Sequence, residues 1–472
     1  MKKKYYLLLF IACLISRLCT TIFYIEDPDS LHFALAIKNY DLTLQQPHFP
    51  GYPIFCFLVK IIYFFTGSIP YSFSIIGGIA TFVLIKYTAR LAKEIIPGVN
   101  EFLLSALLFI NPLLWLLSNR YMPDLTGLAL LMLCCYLFIR IISKGSNVNS
   151  YIYHFLTGIL AGVRLSYLPF LLVPSAYLIF KKGNFFKQTS CFLVGILTWL
   201  VPMLLETGWQ ELLNVAQLQS KGHFYEWGET ILTGSHYWLR LEKIIETIWA
   251  DGFGGFMFNR AFYTVLISTG LILGGLMGLK KLNTGKDKAI QNIFIVFLFS
   301  LLCYFLWIYF YQNVIYQSRH ILPFIPFVTI IIALGLSYLM AKKNLLYRGY
   351  VIVFFSGNLI FTLLLTSQHI ERTAIANAAN YFQSLNLDNN SVIYTTSLVR
   401  QYLSAHKNIN AQFIEHDQSE NEKILQLKQK GLPIYSTHNI DKFIGEEAKK
   451  ETVFYHNPYI NRVWPKVVIY EY

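Results

Sequence analysis

The densest acidic signal in the chain is Glu26-Asp27-Pro28-Asp29, which directly follows an apolar run beginning at Tyr5. An Asp-Pro-Asp turn at the mouth of a helix holds both carboxylates where the helix dipole favours their ionised form. An ionised carboxylate can take the proton of a hydroxyl within hydrogen-bond reach. Asp29 in that position also suits plain helix capping from Ser30 onward, so the spacing leaves both roles open. Asp124, behind Pro123 at the entry to another apolar run, carries the same choice between chemistry and capping. Two cationic sites could answer such carboxylates or grip an anion: Arg164, between two half-length apolar runs, and Arg319-His320, ahead of Ile321-Leu322-Pro323. For both arginines the alternative is snorkelling to lipid headgroups. The 11 histidines lack His-x-x-x-His spacing and the 7 cysteines lack Cys-x-x-Cys spacing, so a dedicated metal site is not indicated.

The composition names the solvent in which these groups are held. With 55% hydrophobic and 14% charged residues in 472, the chain has too little polar surface to cover a water-soluble globule of its size. It reads as an integral membrane protein. Apolar runs of roughly 17 to 25 residues, the length that crosses a ~30 Å hydrocarbon core, recur from Tyr5 to about Gln368 and then stop. Between them lie clusters of positive charge: Lys2 to Lys4; Lys86, Arg90 and Lys93; Arg140 and Lys144; Lys181, Lys182 and Lys187; Lys280, Lys281, Lys286 and Lys288; Lys342, Lys343 and Arg348. Such residues stay on the cytoplasmic side, so each successive pair of clusters brackets one outward and one returning helix.

The spans expected are 5–24, 71–93, 101–119, 124–142, 151–164, 166–180, 188–206, 257–279, 290–311, 321–341 and 349–368, eleven in all. The first is read as an uncleaved helix. The N-terminus then lies inside and the C-terminus outside, so the tail is expected to be extracytoplasmic, and a bacterial plasma membrane is the expected setting. Arg164 falls where the two short spans meet. A mid-membrane charge costs about 2.5 to 3.5 kcal/mol on insertion scales, so a water-filled or protein-lined recess is expected there. Ser30 to Ser68, broken by Pro47, Pro50 and Pro53, reads as two interfacial helices, Leu31 to Tyr40 and Ile54 to Phe65. The outer loop 207–255 is expected to be helical from Tyr237 to Trp249.

The texture changes after Gln368, which divides the chain into a membrane domain, 1–369, and a soluble domain, 370–472. From Ile370 onward 11 basic side chains balance 11 acidic ones, so the whole formal excess of +13 belongs to the membrane domain. That charge is topological, and no nucleic-acid partner is expected. In the tail, helical stretches at Arg372 to Leu385, Leu398 to Ala405 and Glu420 to Lys430 alternate with β-like runs at Val392 to Tyr394, Phe413-Ile414, Ile434-Tyr435, Val453 to Tyr455 and Val467 to Tyr470. The pattern predicts a small α/β domain with a mostly parallel sheet. The cysteines all lie in or beside apolar segments, so no disulfide framework is expected.

Four pieces in order resemble the polytopic GT-C glycosyltransferases, especially the protein mannosyltransferases that use polyprenyl-phosphate-mannose. They are Asp29-Ser30-Leu31-His32-Phe33; Gln46-Pro47-His48-Phe49-Pro50-Gly51-Tyr52-Pro53; Ser118-Asn119-Arg120-Tyr121-Met122-Pro123-Asp124-Leu125-Thr126-Gly127; and Ser318-Arg319-His320-Ile321-Leu322-Pro323. The resemblance covers roughly the first 340 residues. It implies an all-α polytopic membrane bundle that moves a sugar, with inversion, from a polyprenyl-phosphate donor to an extracytoplasmic hydroxyl on a protein, lipid or glycan. It makes Asp29 the catalytic carboxylate, with Asp27 as its neighbour and Asp124 as a second carboxylate that orients the acceptor or the base. Arg319, His320 and Arg164 would hold the lipid phosphate, although His320 stands where the family usually has tyrosine. His48 could bond the phosphate or a sugar hydroxyl and Tyr52 could stack on the sugar, or the turn could be only a rigid hinge. Some relatives hold a divalent cation at a carboxylate pair, but Asp27-Pro28-Asp29 is too thin a signal to assign one. A divalent cation therefore stays open there, and no other cofactor is assigned.

Two other classes compete. A flippase or polymer exporter would place ionisable groups near the bilayer midplane and show repeated span patterns. A polymerase or ligase of lipid-linked glycans would share the outer-loop chemistry without needing an acidic pair straight after the first span.

Overall fold

The computed structural model describes residues 2–234, 236–258, 260–282, 287–342, 344–385, 387–406, 409–416, 421–459 and 464–472. Lys286, Lys343 and Glu420, named above, lie outside them. The chain forms two compact units: Met1–Ile22 with His32–Gln368, and Phe23–Leu31 with His369–Tyr472.

In hydrocarbon a backbone must satisfy its own hydrogen bonds, so long apolar runs fold as helices. The first unit contains α1 (Lys2–Cys19), most of α2 (Pro28–Lys38), α3 (Pro53–Thr66), α4 (Ile69–Ile95), α5 (Glu101–Phe109), α6 (Pro112–Asn119), α7 (Asp124–Lys144), α8 (Asn147–Arg164), α9 (Leu168–Lys182), α10 (Phe185–Thr207), α11 (Trp209–Lys221), α12 (Tyr237–Glu246), α13 (Thr264–Lys281), α14 (Lys288–Tyr311), α15 (Ile325–Ala341) and α16 (Leu345–Thr366). Each expected span corresponds to helix. By length and apolarity, however, eight helices among the described residues qualify as crossings, nine if the bent pair α5–α6 is one span. The count of eleven is not reached by that measure. Lys2 to Lys4 and Arg17 load α1 with charge, and α8 runs into α9 through the 3-10 turn Leu165–Tyr167 as one apolar stretch. The chain is an integral, multi-pass membrane protein.

The breaks between helices have local causes. At Asn111-Pro112 proline removes a donor, and the axis bends by 54°. The Asn111 side chain caps α6 by accepting from Leu114 N at 2.9 Å, while its amide donates to Gly252 O at 2.7 Å. Arg17, fully buried, donates to Phe109 O, a carbonyl at the end of α5, at 3.2 Å and to Ser118 Oγ at 3.1 Å. Its guanidinium also lies 4.1 Å from the centre of the Trp115 ring. Gly158 and Gly195 let α8 and α10 touch backbone to backbone. A Cβ at Gly158 would stand 2.3 Å from Phe192 O, and one at Gly195 would stand 2.3 Å from Phe155 O.

The second unit contains α17 (Ala374–Ser384), β1 (Val392–Thr395), α18 (Ser397–His406), β2 (Gln412–Glu415), α19 (Asn421–Gln429), β3 (Ile434–Ser436), α20 (Asp441–Ile444), β4 (Lys450–Tyr455) and β5 (Lys466–Glu471). The sheet order is β2-β1-β3-β5-β4. β1, buried at all four residues, pairs in parallel with β2 and β3, with Ile393 opposite Phe413 and Tyr435. β5 runs antiparallel to both β3 and β4. The sheet is therefore mixed rather than mostly parallel. Strand direction depends on the connections, which alternating side chains do not record. Val392, Tyr394, Ile414, Ile424, Ile434, Ile440 and Tyr472 form its core.

Candidate active site

The acidic segment resolves into two different aspartates. Pro28 occupies the first position of α2, where a missing N–H costs nothing. Asp27 caps the helix: its Oδ1 accepts from Ser30 N at 2.8 Å, and its carbonyl accepts from Leu31 N at 3.1 Å. Glu26 and Asp27 are both 3% exposed. Asp29 stands in the first turn, partly exposed, and is not the residue that accepts the capping bond at Ser30. One turn later the same helix presents His32 and Phe33, both buried.

The proline-rich turn sits against that second turn of α2. The Phe33 ring lies 5.7 Å from His48 and 5.1 Å from Tyr52, and the His32 ring lies 6.2 Å from His48. Tyr52, the residue before α3, has φ of 46°, a left-handed conformation that costs a β-carbon residue on the order of 1 kcal/mol or more. Gly51 precedes it at φ 86°, where a Cβ would stand 2.5 Å from the Tyr40 hydroxyl that donates to its carbonyl. This backbone turns the Tyr52 hydroxyl to His48 Nε2 at 3.2 Å, and Arg164 Nη1 donates to that hydroxyl at 3.3 Å.

Arg164 ends α8 and meets Asp124, which begins α7, with Nη2 at 2.8 Å from Oδ1. The Asp124 side chain is 0% exposed and that of Arg164 is 6% exposed. Gly127, one turn into α7, makes room: a Cβ there would lie 2.7 Å from Arg164 Cβ and 3.2 Å from the Tyr167 ring. Asp124 Oδ2 and Arg164 Nε are buried and have no hydrogen-bond partner among the described residues. Buried charged groups are rarely left with spare bonding capacity. Tyr167 donates to Asp124 O at 3.3 Å and feels the charges of Asp124, Arg164 and Arg319. Arg319 and His320 lie in the 3-10 segment Ser318–Phe324, where Arg319 Nη1 is 3.0 Å from Met122 Sδ and His320 O accepts from Tyr304 at 2.9 Å.

Five of the residues singled out in the sequence thus converge within the first unit: His48, Tyr52, Asp124, Arg164 and Arg319, with His320 beside them. Tyr167, Tyr304, Gly127 and Met122 join them without a sequence signal of their own, apart from the place of Met122 and Gly127 inside the Ser118–Gly127 piece. The rest of that piece ties down the end of α1. Asn119 Nδ2 donates to Arg17 O at 2.7 Å, and the Tyr121 hydroxyl donates to Ile22 O at 2.5 Å. In the loop 207–255 α12 falls inside the expected helix, and α11 is a further helix beyond that expectation. Its polar, amphipathic sequence carries no apolar run. Arg240 of α12 donates to the carbonyls of Ile308, Tyr309 and Gln312 and so closes the end of α14.

Asp29 and His32, three residues apart on α2, share a helix face.

No protein-family model and no curated protein sequence matches the chain. Among solved structures it is similar to ArnT from Cupriavidus metallidurans bound to undecaprenyl phosphate, with a TM-score of 0.59 and 12% identity over 98% of this chain and 97% of that one. It is also similar to ArnT from the same organism in the apo state, with a TM-score of 0.55 and 11% identity over 99% and 98% of the two chains. At this identity the likeness is one of fold. That fold is the GT-C fold which the four sequence pieces led us to expect.

Proposed function

We propose that the chain is an inverting glycosyltransferase that moves a hexose or pentose from a polyprenyl-phosphate donor to a hydroxyl on the extracytoplasmic side of a bacterial plasma membrane. The observation that carries this reading is the buried Asp124–Arg164 pair with bonding capacity left over, set among Tyr52, Tyr167 and Arg319. Such a group is suited to a doubly charged phosphate, and the fold is shared with a protein crystallised with undecaprenyl phosphate. The grouping of charge favours this over a flippase.

In the reaction the acceptor oxygen attacks the anomeric carbon as the bond from that carbon to the phosphate oxygen breaks. The acceptor proton passes to Asp29, and the electron pair leaves with the polyprenyl phosphate. Arg164, Arg319 and His320 stabilise the charge that develops on the leaving group. His48 and Tyr52 contact the sugar. Asp27 is engaged as a cap, which supports Asp29 over its neighbour as the base. Asp124 is fully buried and salt-bridged, which supports a role in holding Arg164 rather than in proton transfer.

Asp29→Asn tests the assignment in membranes supplied with a polyprenyl-phosphate sugar. Transfer should fall by at least about 10²-fold, the low end of what a positioned base contributes, at unchanged protein level. Turnover near that of the wild type would overturn the role of Asp29.

A further inference from the structure

The segment that leads into Asp29 belongs by packing to the C-terminal unit. Phe23–Leu31 is compact with His369–Tyr472, although some 340 residues of chain separate the two stretches. The contacts that hold it are specific. Thr373, 2% exposed, donates its hydroxyl to Ile25 O at 3.0 Å, and its oxygen caps α17 by accepting from Ala376 N at 3.3 Å. Arg372 Nε lies 3.5 Å from the Tyr24 hydroxyl, with its guanidinium 5.9 Å from the centre of that ring. Tyr402 of α18, 3% exposed, interacts with both Thr373 and Tyr24. Downstream, the bond from Ser30 N to Asp27 fixes the start of α2 relative to the same backbone. A short chain therefore runs from α17 through Thr373, Ile25 and Asp27 to the turn that carries Asp29.

We infer that the C-terminal domain positions the catalytic carboxylate: Thr373 and Arg372 hold the backbone at Tyr24–Ile25 and so set where Asp29 stands. This rests on the reading of Asp29 as the base. It makes Thr373 a positioning residue that acts through the backbone, and it gives the soluble domain a part in the chemical step. Because Thr373 caps a helix as well as gripping the segment, two substitutions separate its functions. Thr373→Ser keeps both bonds. Thr373→Val keeps the shape and loses both. Arg372→Gln, at an exposed position, loosens the grip on Tyr24 and leaves the cap alone.

The test uses the full-length protein in detergent with a polyprenyl-phosphate sugar as donor. Thr373→Val should lower kcat about tenfold with the donor KM unchanged, since a misplacement of about 1 Å can cost up to about 10²-fold. Thr373→Ser should return kcat to within about twofold of the wild type, in keeping with a modest single hydrogen bond. Arg372→Gln should lower kcat about threefold, also without a change in KM, on the same positional argument. Backbone amides of residues 23–30 should exchange faster in Thr373→Val and Arg372→Gln. Should Thr373→Val not fold, Arg372→Gln with the exchange measurement decides the matter. Unchanged kcat in folded Thr373→Val and in Arg372→Gln, while Asp29→Asn is inactive, overturns the positioning role and leaves the base intact. Turnover by Asp29→Asn overturns the base itself.

Discussion

The pair Asp124–Arg164 allows stability and function to be separated. In Asp124→Asn the carboxylate charge is lost at a site with no solvent access, and the guanidinium of Arg164 remains buried without its counter-ion, with Tyr52 as its hydrogen-bonded neighbour. Removing one partner of a buried ion pair costs about 3 to 5 kcal/mol, and asparagine, which keeps volume and a polar oxygen, should fall near the low end at about 3 kcal/mol. Replacing both partners by apolar residues of similar size, Asp124→Leu with Arg164→Met, removes the uncompensated charge. It should return stability to within about 1 kcal/mol of the wild type, since such exchanges are often neutral. The double variant should nevertheless transfer no sugar, because the proposed phosphate ligand is gone. Detergent-solubilised wild type, both single variants and the double variant would be compared by unfolding midpoint and by transfer assay. The double-mutant cycle, closed with Asp124→Leu and Arg164→Met as its single variants, should return a coupling of about 5 kcal/mol, because each single costs about 3 kcal/mol or more and the double about 1 kcal/mol or less. A single variant that loses less than about 1 kcal/mol would refute the claim that burial makes the pair interdependent. Turnover by the double variant would refute the phosphate role.

Gly127→Ala places a methyl 2.7 Å from Arg164 Cβ, so the arginine must move. The donor KM should rise about tenfold on the scale of lost active-site geometry while the protein still folds, and steady-state kinetics with unchanged KM would count against the packing argument. A reporter fused after Tyr472 should be active only outside the cytoplasm, and cytoplasmic activity would invert the proposed topology. Burial, and next the neighbouring His416, hold the His438 imidazole below its ordinary range. The unfolded domain therefore binds a proton at higher pH than the folded one. The resulting stability is complete above about pH 6.5 and is lost as pH falls through that value toward the folded pKa. Amide exchange in β3 should accelerate between about pH 7 and pH 5.5 in the wild type, across that imidazole range, and less so in His438→Gln. Equal acceleration in both would exclude His438 as the cause.

The membrane bundle was legible because apolar length is a one-dimensional property. The runs at 71–93 and 124–142 became α4 and α7 with only their ends moved. Proline breaks were legible for the same reason, and the helices at Leu31 to Tyr40 and Ile54 to Phe65 correspond to α2 and α3. Alternation located all five strands of the tail but not the antiparallel arrival of β5 between β3 and β4. The polar helix α11 escaped for want of an apolar stripe long enough to notice.

The sequence by itself determined the solvent, the helices, the tail and the set of residue types able to handle a proton and a phosphate, because each depends on composition or on neighbours a few residues apart. Only the tertiary structure decided which of them meet. It paired Asp124 with Arg164 across 40 positions, made Asp27 the cap beside Asp29, and bound Ile25 to Thr373 across 348. Those assignments rest on helix packing and on desolvation at the point of contact, and both are properties of the assembled volume rather than of the order of residues along the chain.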